Sequence, residues 1–161
     1  MNSNRTIATK LAIVYIAAFA SLAQAKSGEV ATAFCVGGEI LSSMEIAPQQ
    51  SIVTAKYFGV TKTVPSGGIF DLMSASCYGT SSTVGGPLAA TTHCVYVDKD
   101  GDKFATRISA ISGGGKSEIL GGSGKFTGMK GGSEYKSTRL TGLPGNISVC
   151  TESQWKYTLP D

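Results

Sequence analysis

The sequence predicts an all-β domain, an antiparallel barrel or sandwich in which each strand follows its neighbour. Three observations carry this: helix periodicity is nearly absent, short β-branched and aromatic runs alternate with turn residues, and 21 glycines are present among 161 residues. At about 100–200 residues per domain, the length leaves room for one core.

Residues 1–25 come first. Arg5 and Lys10 precede an apolar run from Leu11 to Leu22, which is followed by Ala23 and Ala25. This pattern predicts a secretory signal peptide cut after Ala25, because the run falls short of the roughly 20 residues that a spanning helix needs. Lys26, not a cysteine, follows the cut, so the usual acceptor of a bacterial lipid anchor is missing. The expected product, residues 26–161, is a single secreted or periplasmic domain with no membrane anchor. Cleavage removes two of the 14 basic residues and none of the 11 acidic ones, so the net charge falls from +3 to +1. No Lys/Arg cluster is left to follow a phosphate backbone, and nucleic acid is not an expected partner.

The strand runs are EVATAFCV, EILSSMEIA, SIVTAKYFGV, IFDLMSASCY, TTHCVYV, KFATRISAI, KSEIL, SEYKSTRL and ISVCTESQWKYT, eight or nine strands in all. Gly37 and Gly38 predict a tight hairpin between the first two, Pro48 ends the second, and LPGN at 143–146 supplies a turn before the last. Nine glycines fall between Gly113 and Gly132, where strands must bend sharply or backbones approach closely.

Cys35, Cys77, Cys94 and Cys150 are an even set in an exported chain, which predicts two disulfides. In the last strand Ile147, Val149, Trp155, Tyr157 and Leu159 share one parity and Cys150 the other. In the first strand Val30, Phe34 and Val36 likewise oppose Cys35. Closing a barrel brings these strands together, so Cys35 with Cys150 forms a seam on the outer face and Cys77 with Cys94 ties two successive strands.

Few motifs survive inspection. Asp98, Asp100 and Asp102 alternate as in a calcium loop, but Gly101 stands fourth where an EF-hand needs it sixth, and Ser109 stands where the twelfth-position Glu belongs. A hairpin turn at Asp100 and Gly101 is the expected reading, with calcium as the alternative. GGGKS at 113–117 lacks the first glycine of a phosphate loop because residue 110 is Ala110, and GGSGKFTG at 121–128 misses the dinucleotide spacing by one residue. No cofactor is expected.

His93 is the sole histidine, so any imidazole base must be His93, and no nucleophile elbow accompanies it. It shares a parity with Val95 and Val97, which predicts a core position. Glu39, Glu45 and Glu118 are expected mainly on a solvated face. His93 and Glu45 are the candidates for a polar group inside a cavity, and no catalytic residue is assigned. Arg107 is expected to point outward, because Phe104 and Ile108 take the inner parity. Asn146, Ile147 and Ser148 form a glycosylation sequon that matters in a eukaryotic source.

From Cys94 to about Arg139, the runs CVYVDKDGDKFATRIS and GGSGKFTGMKGGSEYKSTRL resemble the allene oxide cyclase and dirigent barrel group, especially its exported bacterial members. In that group a Cys-strand-DxDGD hairpin precedes a GGTGKF-x-G-x-x-G segment. The resemblance implies an up-and-down, calycin-like barrel of eight antiparallel strands with a central apolar cavity, and a homo-oligomer, trimer or dimer. The plant enzymes of the group bind and shape a lipid epoxide or a phenoxy radical; no position here matches their functional residues, so none is carried over. The expected function is a binding module for a small apolar ligand. The alternatives are a cyclase-type isomerase acting on a lipid-like substrate, which would need a buried carboxylate or histidine, and a filled barrel that acts on other proteins through its surface.

Overall fold

A computed structural model describes residues 26–141 and 146–160. The proposed signal peptide, and all of the 143–146 turn except Asn146, lie outside the described residues. Eight strands follow one another: β1 Lys26–Ala47, β2 Gln50–Val64, β3 Ser74–Ser82, β4 Ala89–Val97, β5 Lys103–Ile111, β6 Gly114–Ser123, β7 Lys130–Leu140 and β8 Asn146–Leu159. Each pairs antiparallel with the next, and β1 pairs with β8 to close the barrel. Closure leaves the body of the barrel with no free sheet edge.

The expected Gly37–Gly38 hairpin does not form. β1 runs straight through both glycines, pairing with β8 as far as Glu39 opposite Asn146 and with β2 as far as Ala47 opposite Gln50. Gly38 serves packing instead. It sits opposite Tyr57, and a Cβ on it would lie 2.5 Å from the Tyr57 ring, so the absent side chain is the space the ring occupies. The turn comes after Ala47, at Pro48 and Gln49, where Gln49 has a φ of 65°.

The run IFDLMSASCY also divides. Ser74 begins β3, while 69–72 form a turn that folds Phe70 into one end of the barrel. Thr61 anchors this turn: its amide donates to the Met73 carbonyl at 2.9 Å, and its carbonyl accepts the Leu72 amide at 2.9 Å. The Thr61 hydroxyl donates to the Phe70 carbonyl at 2.5 Å. Asp71 secures the outer side by accepting the Thr63 amide at 2.9 Å and the Gly67 amide at 2.7 Å, bonds that hold its carboxyl below the usual carboxylate range.

Phe70 stands among Phe104, Trp155 and Tyr157, with ring centres 5.2–5.3 Å from its own. Phe126, carried by a 3-10 turn at Gly124–Phe126, and Met129 complete this plug, both essentially inaccessible to solvent. The glycine-rich stretch lets the chain turn there and place Phe126 over the barrel end. Trp155 is buried with its indole nitrogen donating to the Thr32 hydroxyl at 3.1 Å, so its polar atom is satisfied inside the core.

Both disulfides form as parity predicts, Cys35 directly opposite Cys150 and Cys77 directly opposite Cys94. Cys35 is exposed on the outer face of the closure seam, whereas Cys77 and Cys94 are buried on the inner face.

The aspartate run is a turn. The Asp98 amide donates to Asp102 O at 3.0 Å, the Gly101 amide to Asp98 O at 3.1 Å, and Gly101 takes the positive φ of 86° that this turn requires. One Asp98 carboxylate oxygen accepts the amides of Asp100 and Asp102, each at 2.9 Å, and the other meets the Lys125 ammonium. That pairing with Lys125, together with the amide bonds, depresses the Asp98 carboxyl and raises Lys125. An ammonium therefore stands where a calcium ion would need to sit. Calorimetry is expected to show no calcium affinity tighter than about 1 mM. Tighter binding that Asp100→Asn abolishes would overturn this.

Candidate functional site

The plug closes one end of the barrel. Toward the opposite end, among the described residues, the β3–β4 and β5–β6 connections border a mouth, and between mouth and plug lies a chamber of about 420 Å³. Its size falls within the range of small-ligand pockets, roughly 300–1,000 Å³.

Strand parity determines which side chains line it. Phe34 and Val36 come from β1, Ile108 from β5, Val149 from β8, and the Cys77–Cys94 disulfide forms part of the wall. Toward the plug the lining becomes hydroxylic: Thr32, Ser153 and Tyr135 stand on neighbouring strands in direct register, and Ser117 joins them from β6. The chamber is thus apolar through its middle and carries donors and acceptors at its base.

Ionisable groups are few. Among the described residues, the chamber is lined by three tyrosines, Tyr57, Tyr96 and Tyr135, and by one charged side chain, Arg139. Burial pushes all three phenols upward, so each keeps its proton at neutral pH and can donate it in a hydrogen bond. Arg139 follows Ser133, Tyr135 and Ser137 on the inward parity of β7, and it reaches the rim opposite Val149. It lies close enough to Tyr57 for its charge partly to offset the effect of burial there.

The two cavity candidates lie elsewhere. His93 is exposed, opposite Tyr78 and Arg107 on the outer face, because β4 turns Thr92, Cys94 and Tyr96 inward. Glu45 is exposed on the stretch of β1 that runs past the end of its pairing with β8. Glu39 and Glu118 are exposed as well, and Arg107 points outward to Glu118 at 2.5 Å. Sequence reasoning missed Arg139 and Tyr57. The signal for Arg139 was present in SEYKSTRL, where Glu134 and Lys136 take the outer parity and leave Tyr135 and Arg139 on the inner one.

No protein-family model matches the chain, and no curated protein matches it. Among solved structures, the pterocarpan synthase dirigent protein GePTS1 is similar with a TM-score of 0.55 and 13% identity, over 85% of this chain and 93% of that one. The pterocarpan synthase dirigent protein PsPTS1 aligns at a TM-score of 0.48 and 12% identity, over 84% of this chain and 96% of that one.

Proposed function

We infer the function from the chamber itself, because at 13% identity the likeness to the dirigent-type barrel of GePTS1 extends to the fold alone. We propose that the protein is a binding module that takes a small apolar molecule into the chamber. The chamber itself carries this reading: a cup of about 420 Å³, closed at one end by aromatic side chains, walled largely by apolar groups and, among the described residues, open toward the other end. The groups that line it suit binding, since they donate hydrogen bonds without having to gain or lose a proton at neutral pH. Two disulfides support an oxidising compartment, so we place the protein outside the cytoplasm.

The test is titration with the neutral fluorophore N-phenyl-1-naphthylamine, comparing wild type with Val149→Trp, which fills the chamber from β8. Saturable one-to-one binding is expected in the wild type. In the variant it should weaken about tenfold or more, since overpacking an occupied space costs roughly 1–3 kcal/mol. Absence of saturable binding, or equal affinity in a variant whose unfolding midpoint is unchanged, would remove the chamber as the site.

A further inference from the structure

Arg139 is a cation with nothing to neutralise it at the rim of an apolar chamber. Among the described residues no carboxylate lies within salt-bridge distance of it, and of the cations there without an acidic partner it is the one that lines the chamber. Nor does any acid line the chamber among those residues. Tyr57 reaches the same rim because Gly38 lets its ring lie across β1 toward β8, the strand next to the one that carries Arg139. A guanidinium and a phenol therefore line the same chamber, both able to donate hydrogen bonds, together with its apolar wall.

We propose that the mouth recognises a carboxylate, so that the chamber's ligand is an apolar acid: its body lies along Phe34, Val36 and Val149, and its charged end meets Arg139 and Tyr57. This inference rests on the reading that the chamber binds an apolar molecule, and it narrows the class of that molecule. Carboxylate fits better than a cation or a neutral head for two reasons. It carries the opposite charge, and the planar guanidinium fork matches its two oxygens. A dianionic head would call for a second cation at the rim, and the chamber lining among the described residues holds only Arg139.

The experiment uses three probes with the same ten-carbon chain: decanoate, decanol and decyltrimethylammonium, each displacing N-phenyl-1-naphthylamine at low ionic strength. Wild type is expected to bind decanoate about tenfold tighter than decanol, the size of effect that a hydrogen bond to a charged group gives, and to bind the cation most weakly. In Arg139→Gln the preference for decanoate over decanol should vanish. Arg139→Lys should keep part of the preference, and Tyr57→Phe should reduce it. Equal affinity for decanoate and decanol in wild type, or a preference that survives Arg139→Gln, would overturn the inference and leave the apolar chamber standing. Failure of all three probes to displace the fluorophore would overturn both readings. Arg139 is exposed and outside the core, so loss of folding is not expected to obscure the result.

Discussion

Replacing Cys35 and Cys150 together by alanine is expected to lower the free energy of unfolding by about 4–5 kcal/mol, because the bridge restricts a very long loop of the unfolded chain. The two cysteines are 115 residues apart, and those of the second bridge 17. In the chain-entropy account the shorter loop contributes about 3 kcal/mol. The seam pair gives the cleaner measurement. Cys35 lies exposed, whereas Cys77 and Cys94 are 2% and 1% accessible, so their replacement also removes buried packing. Urea unfolding of the non-reduced wild type and of Cys35→Ala/Cys150→Ala provides the comparison. The denaturant slope should also rise in the variant, since an unfolded chain freed of its longest link exposes more surface. A loss below about 2 kcal/mol with an unchanged slope would show that backbone pairing between β1 and β8 holds the seam without the bridge.

The sequence made the barrel and both disulfides legible for a common reason: strand parity has a period of two and needs only local alternation to be read. Ile147, Val149 and Trp155 do face inward, which turns Cys150 outward to meet Cys35. Parity misled where apolar residues do not mark the inside. Phe58, Val60, Tyr78 and Val95 are each 43–53% exposed on the outer face of β2, β3 and β4, while Thr32, Thr106, Ser117 and Ser153 are buried within. His93 shares its parity with Val95 and so resembled a core residue. The inner set of that strand is Thr92, Cys94 and Tyr96, which looks less apolar on paper.

Two further misses concern long-range packing that no local pattern encodes. Gly37 and Gly38 have the composition of a turn, and only the Tyr57 ring on the next strand explains an uninterrupted β1. Phe70 sits in a run that alternates acceptably as a strand, yet the hydrogen bonds from Thr61, nine residues earlier, hold its backbone in a turn. Arg139 was overlooked because a charged residue near the end of a strand suggests solvent. It does reach solvent, but from the inward side and at the rim of the chamber.

That plug leads to the other large effect. Phe70→Ala is expected to destabilise the protein by about 3–5 kcal/mol, the usual cost of removing a buried phenylalanine and leaving a cavity behind. The residue is 1% accessible and packs against Phe104, Phe126, Trp155 and Tyr157 from a single position at the closed end. Neighbouring side chains are poorly placed to fill the gap, since Phe104 and Trp155 are fixed on β5 and β8 of a closed sheet, already pack against each other, and Trp155 is tethered to Thr32. Phe70→Leu, which keeps most of the apolar volume, should lose markedly less. Chemical unfolding measures both. A cost for Phe70→Ala below about 1.5 kcal/mol would mean that the turn at 69–72 swings away and the barrel end closes without it. The same variant bears on function, because the chamber holds a ligand only if its base is shut. Removing the ring opens a second route to solvent beside Trp155, so a bound apolar fluorophore should leave Phe70→Ala faster than wild type while its association rate changes little. Stopped-flow dilution reads that difference directly, and an unchanged dissociation rate would show that the hydroxyl-lined base above the plug, not Phe70, seals the chamber.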